Sequence, residues 1–328
     1  MTILAIDQGA SKTSVLLISE NGRILSTGKA EGACHFTVGL KKASDAIAAA
    51  ASEALEEAGM TVSDISAVYG GLAGANWPDE IEMLENEMKR IFKVEHASIW
   101  NDCVVALRAG TDADNAIVLC SGSGMNSAIF MDGKLRAVYN NYIEFMDQGG
   151  EALGGRVFKT VFQSHMQIIK PTSLTKRVME YFGYEDMDSL LLAYQRNQLT
   201  KPLKDLSIML FEEADRDDSA ALEIIYSYGK SISKYVTAAV KKYGIAPGQC
   251  TAVMSGGVFK AKNPLLFETV CSHIHRVYPN LKIRQAKYEP VVGAALMALD
   301  RLGAKGDEAH GLCKREAEKR ELIRFSRS

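Results

Sequence analysis

The stretch that decides the fold is DQGASKT, residues Asp7–Thr13, which follows the apolar run Ile3–Ile6 without a break. The apolar run predicts a short buried strand, and the acid stands at its end. A small-residue turn in this place lets backbone N–H groups approach a phosphate, because Gly9 and Ala10 leave room for it. The same residues also suit an ordinary hairpin with a polar turn, so the stretch alone leaves both interpretations open.

The side chains of this turn take three different roles if the ligand is a nucleotide phosphate. Ser11 and Thr13 would donate hydrogen bonds, and Lys12 would add positive charge. The carboxylate of Asp7 would hold Mg²⁺ through water rather than touch phosphate, since Mg²⁺ keeps several waters and takes one or two carboxylates.

Two further turns of small residues follow predicted strands later in the chain. Ser121–Gly124 (SGSG) comes after the apolar strand Ala116–Cys120, and Ser255–Gly257 (SGG) comes after Thr251–Met254. The serines of the first turn can donate to phosphate and the glycines of the second suit adenine and ribose, although each turn alone is more often a simple turn. Neither is a Walker A loop or a G-x-G-x-x-G fingerprint, so the P-loop and Rossmann interpretations lose support.

The order of predicted elements repeats once along the chain. From Ile3 and again from Ala116, a strand leads through a small-residue turn to a second strand and a hairpin, with Asn21-Gly22 and Asp132-Gly133 as the hairpin turns. We therefore expect an α/β protein with two domains of similar plan. The predicted divisions are 1–114 for the first domain, 115–303 for the second domain with its helical insertion, and 304–328 for a charged tail; the closing helix 291–302 is expected to pack back on the first domain.

The remaining predicted elements are short strands and amphipathic helices. The tail from residue 304 is expected to be a solvated helix or disordered, because it is strongly charged. The strands are predicted at Thr13–Ser19, Arg23–Lys29, Ile65–Gly70, Ala97–Trp100, Met125–Met131 and Lys134–Tyr139, and the clearest helices at Lys42–Ala58, Asp79–Phe92 and Asp217–Lys242.

Composition and charge limit the class of protein. The chain has 328 residues, of which 47% are hydrophobic and 24% charged, an ordinary globular balance with enough length for two domains. A net charge of -2 argues against a general nucleic-acid binder, because phosphate backbones attract a basic excess. Six cysteines without a C-x-x-C pair indicate reduced thiols in a cytoplasmic protein rather than a zinc site or a disulfide framework. No apolar run is long enough for a membrane span, so no membrane partner is expected.

In their order along the chain, the three turns resemble the phosphate-1, phosphate-2 and adenosine motifs of the actin-like ATPase superfamily. Gly71–Gly74 (GLAG) and Pro290–Ala295 (PVVGAA) resemble the motifs of its two connecting helices. Within the superfamily, the sequence from Ile3 to about Leu302 resembles the BadF/BadG/BcrA/BcrD ATPase family, and inside it the N-acetylglucosamine kinases and bacterial glucosamine kinases. The resemblance implies two actin-like (ribonuclease H-like) domains with a nucleotide cleft between them, and ATP-dependent phosphorylation of an amino-sugar hydroxyl.

The resemblance also implies roles for individual residues. Asp102 matches the base that faces the sugar hydroxyl, and Asn126 and Asp147 match residues that contact the sugar. ATP and Mg²⁺ are the implied cofactors, and a homodimer acting on a small-molecule sugar is the expected assembly. The implied nucleotide-binding residues are Asp7, Gly9, Ser11, Lys12, Thr13, Ser121, Gly122, Ser123, Gly124, Gly256 and Gly257.

Local sequence supports a role for Asp102 independently of the resemblance. It stands where the predicted strand Ala97–Trp100 ends and an apolar helix begins, so the helix N-terminus favours its ionised form and we expect a low pKa. A strong base is not required, because phosphoryl transfer has a loose transition state in which positioning of the hydroxyl matters more. An N-cap aspartate without chemistry is the alternative.

The sugar side of the sequence departs from the N-acetylglucosamine kinases. Cys34 stands where they carry a sugar-binding Asn, and residues 141–146 replace their Gly-Trp-Gly-His segment. The sequence DQGG at Asp147–Gly150 is closer to the bacterial glucosamine kinases. Glu144 could pair with a substrate amine or could be a solvated loop residue, so the identity of the sugar stays open.

Two other functions stay open at this stage. Some members of the family activate acyl-CoA dehydratases or reductases and hold a [4Fe–4S] cluster between subunits, but the cysteines here form no suitable pair of closely grouped, exposed ligands. A non-catalytic ATP-binding regulator is disfavoured because both candidate acids are present. A kinase would also close around its ligands, and the expected hinges lie near Asp112–Asn115 and Glu289–Val291.

Overall fold

The computed structural model describes residues 1–303 and 307–324, and the strands within them form two mixed sheets. The first sheet contains β1 (Thr2–Gln8), β2 (Lys12–Ser19), β3 (Ile24–Glu31), β4 (Ile65–Leu72) and β5 (His96–Asn101). Its order is β3-β2-β1-β4-β5. The first three strands pair antiparallel, while β4 and β5 lie parallel to β1.

The second sheet repeats this plan. It contains β6 (Ala116–Ser121), β7 (Met125–Asn126), β8 (Ala128–Met131), β9 (Lys134–Val138), β10 (Thr251–Ser255) and β11 (Lys282–Gln285). Its order is β11-β10-β6-β8-β9, with the short β7 beside β6. Strands β6, β8 and β9 pair antiparallel, and β10 and β11 lie parallel to β6. The shared plan confirms the predicted α/β class and its internal repeat.

The helices begin and end at residues that favour such boundaries. The chain leaves α2 at Gly59 with φ 64°, a left-handed conformation that glycine adopts without strain. The side chain of Asp218 caps α9 by accepting from the N–H groups of Ala220 and Ala221, and Gly244 ends that helix. The helices are α1 (His35–Val38), α2 (Leu40–Ala58), α3 (Pro78–Phe92), α4 (Asp102–Arg108), α5 (Gly149–His165), α6 (Leu174–Phe182), α7 (Met187–Gln195), α8 (Leu206–Ala214), α9 (Ser219–Tyr243), α10 (Leu265–Val277), α11 (Pro290–Arg301) and α12 (Asp307–Lys319).

Helices α4 and α11 lie between the two sheets. Their buried residues, such as Val105 and Leu296, belong to one apolar cluster with Ile3 of the first sheet and Val118 of the second. Glycine makes this packing possible, because a Cβ on Gly293 would lie 1.9 Å from the Val105 carbonyl oxygen. The predicted close packing of the PVVGAA helix is therefore present, and α11 contacts β1 and β4. The division of the chain at residues 114 and 115 stays a prediction.

Several predicted boundaries differ from the structure by one or two residues, and two of the differences have a clear local cause. The strand predicted at Met125–Met131 is divided into β7 and β8, because the side-chain oxygen of Asn126 takes the N–H of Ser127 that a continuous ladder would use. Helix α9 begins at Ser219 rather than Asp217, since Asp218 is its N-cap and Asp217 is left-handed. Strand β11 and helix α5 have no counterpart in the prediction.

The charged tail is docked rather than solvated over its described part. Cys313 and Ala317 of α12 are buried, and the helix packs against α11 and β3. Residues 304–306 and 325–328 of the predicted tail lie outside the described residues. In the described ranges, no helix is long and apolar enough to cross a bilayer.

Candidate active site

The two phosphate-type turns meet between the sheets. The first turn closes where the Gly9 N–H donates to the Lys12 carbonyl at 2.9 Å, between β1 and β2. The second turn follows β6, at the corresponding place in the other sheet. A hydrogen bond of 2.8 Å joins Ser11 Oγ of the first turn to Ser123 Oγ of the second. Two turns that are 112 residues apart in the sequence thus face each other across one cleft.

The DQGG segment holds the second turn in shape. The N–H of Gly150 donates to the Gly122 carbonyl at 2.8 Å, and the N–H of Glu151 donates to the Ser123 carbonyl at 3.0 Å. Gly149 has φ 55°, and a Cβ there would lie 2.3 Å from the Gly124 carbonyl oxygen. Only glycine fits this contact, so the segment is a support for the turn.

The third turn packs directly on the second. Ser255 at the end of β10 pairs in register with Cys120 of β6. Gly256 has φ 97°, and a Cβ on it would lie 2.0 Å from the Ser121 carbonyl oxygen. By contrast, a Cβ on Gly122 or Gly257 would meet no heavy atom within 4 Å. These two positions therefore leave bare backbone next to open space, which suits the approach of a ligand.

Two hydroxyls of the predicted nucleotide set face the protein interior, which corrects the sequence interpretation. Thr13 Oγ1 is buried and donates to the Glu31 carbonyl at 2.8 Å. Ser121 Oγ is buried and shares a hydrogen bond of 2.8 Å with the Tyr228 hydroxyl. Both faces of these strands are covered, since every residue of β2 from Thr13 to Ile18 is buried and so is Ser121 at the end of β6. Of the turn hydroxyls, Ser11 and Ser123 are the pair that faces the cleft.

Lys12 lies in an ion network that sequence reasoning missed. Its Nζ is 2.9 Å from Glu289 Oε2, and Lys260 Nζ is 2.7 Å from Glu289 Oε1. Burial would raise the pKa of Glu289, but Arg324, Lys260 and Lys12 together lower it to about 2. Glu289 is therefore ionised at neutral pH and fixes both lysines at the start of α11.

Of the two predicted acids, Asp7 is buried and Asp102 is half-buried, and the charge of Asp102 acts on Asp7. Burial, with the negative charge of Asp102 adding to it, raises the pKa of Asp7 to about 7, although Lys12 and Arg324 act in the opposite direction. Burial raises the pKa of Asp102 to about 6, and the N–H of Cys103 offsets only part of the effect. The expected low pKa of Asp102 is therefore wrong, because loss of water outweighs the favourable helix N-terminus.

The donor set near Asp7 fits a magnesium ion that the nucleotide would bring with it. Among the residues with described coordinates, no group of three or more His, Cys, Asp or Glu side chains could hold a metal alone. Mg²⁺ needs no such group, because it commonly takes one or two carboxylates and completes its shell with phosphate oxygens and water. The cation would also favour the ionised form of Asp7, whose charge is disfavoured by burial and by Asp102.

A chain of asparagine amides links the two sheets beside Asp102. Asn101 Nδ2 donates to Asn76 Oδ1 at 2.8 Å, and Asn126 Nδ2 donates to Asn101 Oδ1 at 2.9 Å. The same oxygen of Asn101 accepts from the Cys103 N–H and so caps α4, the helix that begins with Asp102. The chain fixes Asp102 relative to Asn126, the predicted sugar contact from the second sheet.

The loop that carries Cys34 packs against the same region. Cys34 Sγ donates to the Ala73 carbonyl at 3.3 Å. A Cβ on Gly74 would lie 2.7 Å from His35 Cε1, so the GLAG turn accepts this loop only with glycine. Burial raises the pKa of the Cys34 thiol, and the nearby negative charge of Asp102 contributes to the increase. Cys34 therefore lies close enough to Asp102 for its pKa to respond to that charge.

Asp147 lies in a separate buried network. Its Oδ2 accepts from the Tyr235 hydroxyl at 3.1 Å and is 3.1 Å from Lys234 Nζ, while Oδ1 is buried without a hydrogen-bond partner among the described residues. Glu144, the possible amine partner, is exposed and paired with Lys234 at 3.1 Å. The solvated-loop alternative for Glu144 is the one that the structure supports.

Four residues at this cleft were not identified from the sequence. Asn76, Glu289, Lys260 and Arg324 are far apart in the chain and belong to no motif. The position of Asn101 before an apolar helix is a recognisable N-cap signal, but it does not reveal the amide chain. Long-range pairing alone brings these side chains to the cleft.

The fold and the paired turns define the class of two-sheet, actin-like proteins with a ligand cleft between the sheets. The chain belongs to the BadF/BadG/BcrA/BcrD ATPase family, whose model matches residues 4–298. Both the predicted family and the predicted fold class are thus confirmed.

Individual relatives are similar over most of the chain. The N-acetyl-D-glucosamine kinase of Dictyostelium discoideum is 24% identical over 312 residues, which cover 90% of this chain and 97% of the relative. A glucosamine kinase of Vibrio cholerae is 22% identical over 236 residues, covering 72% and 79%. The solved structure of a candidate N-acetylglucosamine kinase from Porphyromonas gingivalis superposes with a TM-score of 0.69 at 18% identity, covering 92% and 99%. The last likeness supports the fold.

Proposed function

We propose that the protein transfers the γ-phosphoryl group of ATP to a hydroxyl group of an amino sugar. The observation that carries the proposal is the contact between Ser11 and Ser123, which brings two phosphate-type turns together beside two acids with raised pKa values, Asp7 and Asp102. Membership in an ATPase family and similarity to two amino-sugar kinases agree with this chemistry.

On the nucleotide side, backbone would do most of the binding. The N–H groups of Gly9 and Gly122 close their own turns, so those of Ala10, Ser11, Ser123 and Gly124 would receive the phosphates, with the hydroxyls of Ser11 and Ser123 as further donors. The bare backbone at Gly257 would lie against adenosine, while Gly256 packs the third turn on the second. Asp7 would hold Mg²⁺ through water, and the ion would neutralise negative charge on the phosphates.

On the acceptor side, Asp102 would orient the sugar hydroxyl and receive its proton. The bond between the γ-phosphorus and the β–γ bridging oxygen of ATP breaks as a bond from phosphorus to the hydroxyl oxygen forms. The proton of the hydroxyl passes to Asp102, and ADP leaves with the electron pair. A pKa of about 6 leaves Asp102 mostly ionised at neutral pH and matches it to this task better than an ordinary aspartate.

The acceptor is proposed as N-acetylglucosamine or glucosamine. Glu144 is exposed, and one of its carboxylate oxygens is paired with Lys234. An exposed pair of this kind is weak, so Glu144 does not decide between the two sugars. The relative matched over the larger share of this chain is the N-acetyl-D-glucosamine kinase, which favours the acetylated sugar as the first to be tested.

A substrate panel tests the proposal. Purified protein with Mg-ATP is given N-acetylglucosamine, glucosamine, N-acetylmuramic acid, N-acetylmannosamine or glucose, and ADP release is measured. We expect at least one amino sugar to raise ADP release far above the rate without sugar. No stimulation by any sugar, together with tight ATP binding, would favour a non-catalytic regulator. Stoichiometric iron and sulfide after anaerobic reconstitution would favour an activator of acyl-CoA dehydratases or reductases.

A further inference from the structure

The described C-terminal segment reaches the cleft by pairing with the strand-like stretch before α11. The Leu322 carbonyl accepts from the Glu289 N–H at 3.0 Å, and the N–H of Arg324 donates to the Lys287 carbonyl at 2.8 Å. Between these bonds, Ile323 and Tyr288 form an antiparallel bridge. The segment is thus fixed by its backbone, whatever side chain stands at position 324.

The pairing places the Arg324 side chain at the carboxyl end of β10. Its Nη1 donates to Ser255 Oγ at 2.7 Å, next to the Gly256 turn. The guanidinium is also near Asp7 at the end of β1, since its charge acts to lower the pKa of that acid. Arg324 therefore lies between the strand ends of both sheets, where open α/β sheets bind their ligands.

Most hydrogen-bonding capacity of this arginine is unused. A guanidinium has five N–H donors, and within the described ranges only the bond to Ser255 satisfies one of them. The Nε–H is buried without a partner, and no carboxylate of the described residues lies within ion-pair distance. Glu289 is a carboxylate on which the charge of Arg324 acts, but its two oxygens are already paired with Lys12 and Lys260. A half-buried cation with free donors is suited to an anion that arrives with a ligand.

We propose that Arg324 binds the phosphates of ATP and stabilises the negative charge that develops during phosphoryl transfer. The C-terminal segment would then complete the active site, because Lys12, the cation of the first turn, is already paired with Glu289. Arginine suits this role, since its planar fork can donate two parallel hydrogen bonds to phosphate oxygens. The proposal rests on the proposed kinase function, and its test is arranged so that either can fail alone.

The test compares three variants of the full chain. Arg324→Gln removes the charge, Arg324→Lys keeps the charge without the fork, and Lys319→Gln is the control. Lys319 lies on α12 and pairs with Glu316 on the same helix, so Lys319→Gln removes an exposed charge of the same C-terminal region. The measurements are the Kd for Mg-ATP by calorimetry, the KM for ATP and for sugar, kcat, and the melting temperature.

We expect Arg324→Gln to lower kcat/KM for ATP by at least about tenfold and up to about 10³-fold, the range for a cation or donor at a phosphoryl or oxyanion site. The KM for sugar and the melting temperature should change little, and Arg324→Lys should recover part of the loss. Added guanidinium ion should partly restore Arg324→Gln but not affect Lys319→Gln. A purely structural arginine would show neither the recovery nor the ATP-specific loss.

Two results would overturn the proposal. The first is an Arg324→Gln enzyme whose kcat and KM for ATP match those of the control. The second is a loss of activity that follows a fall in melting temperature and disappears when the assay is cooled. If the unaltered chain phosphorylates no sugar, the kinase proposal fails, and the Kd for Mg-ATP still decides whether Arg324 binds phosphate.

Discussion

The proposed nucleotide side and the proposed acceptor side of the cleft are built by different means. On the nucleotide side, backbone touches backbone, and Gly149 and Gly256 pack against carbonyl oxygens at distances that exclude a Cβ. On the acceptor side, the amides of Asn76, Asn101 and Asn126 carry the geometry. A site built from backbone contacts requires glycines, which can be recognised in the sequence. A row of hydrogen-bonded asparagine side chains has no local sequence pattern. Variants on each side can show whether ATP binding and phosphoryl transfer to the sugar change independently.

The largest separation is expected at Asp102. Asp102→Asn should lower kcat by about 10² or more, because it removes the group that orients the hydroxyl and takes its proton. The Kd for ATP should stay within about threefold, as this residue belongs to the acceptor side. Asp45→Asn, which breaks only an exposed pair with Lys41, is the control. Weak ATP binding with normal kcat would reverse the assignment of roles.

We expect Asp7 to lower the free energy of unfolding at neutral pH, although it is proposed to serve Mg-ATP binding. In the free protein its pKa is about 7, against about 4 in an unfolded chain, so the folded state binds more protons between these values. The free energy of unfolding should therefore fall as pH rises from about 4 to 7 and level off above. Asp7→Asn cannot titrate, so at pH 8 it should be more stable than the unaltered protein by about 1–4 kcal/mol, with little difference near pH 4.

Chemical denaturation of both proteins at several pH values, without nucleotide or magnesium, checks this expectation. The same variant should bind Mg-ATP poorly, so stability and function change in opposite directions. A constant stability difference across this pH range would mean that Asp7 does not titrate as a buried acid.

Asn101 tests whether the amide chain has a catalytic purpose. Asn101→Ala should lower kcat by about tenfold, because Asp102 loses its neighbour's cap and the link to Asn126. Loss of an N-cap alone costs about 1 kcal/mol of stability. Asn263→Ala is a matched control, since Asn263 accepts from the Leu265 N–H at the start of α10, outside the cleft. Equal kcat values for the two variants would leave Asn101 with a structural role only.

Two serines of one turn give a finer test on the nucleotide side. Ser123→Ala should raise the KM for ATP by about three- to tenfold, the value of one or two ordinary hydrogen bonds, without lowering stability. Ser121→Ala should leave that KM unchanged and cost about 1–2 kcal/mol, because it leaves the buried Tyr228 hydroxyl without this partner. Titration of initial rates with ATP, and thermal melts, separate the two. The reverse pattern would mean that Ser121 faces the ligand.

Sequence reasoning reached the fold and the backbone-built part of the site for clear reasons. Hairpin turns, glycine stops and apolar runs are local signals, and they placed nearly every strand of both sheets. The same signals could not show that Thr13 and Ser121 face inward, because that depends on which face of each strand is covered. Burial of Asp102 was likewise invisible, and so its pKa was predicted in the wrong direction. Arg324 reaches the cleft through the backbone pairing of residues 322–324 with residues 287–289. No sequence motif predicts this pairing.

The smallest expected effect concerns motion between the predicted domains, 1–114 and 115–303. In the described structure, single hydrogen bonds span the cleft on both sides, from Ser11 to Ser123 and from Asn126 to Asn101. Each such bond contributes only about 0.5–1.5 kcal/mol, so an open state costs little in free energy. Hinges near Asp112–Asn115 and Glu289–Val291 would absorb the rotation, since the chain crosses between the sheets there.

Ligands that contact both turns should therefore favour the closed state and exclude water from the phosphate, which would otherwise compete with the sugar as acceptor. Small-angle scattering should give a radius of gyration near 20 Å, the value for a compact chain of this length, and a smaller one with sugar and a non-hydrolysable ATP analogue. ATP analogue alone should produce part of the decrease, because the Ser11 and Ser123 turns bind it from both sheets, and sugar should complete it through the amide chain. The same radius of gyration in all three samples would indicate a rigid block. The two sides of the cleft would then differ in their chemical roles without moving relative to each other.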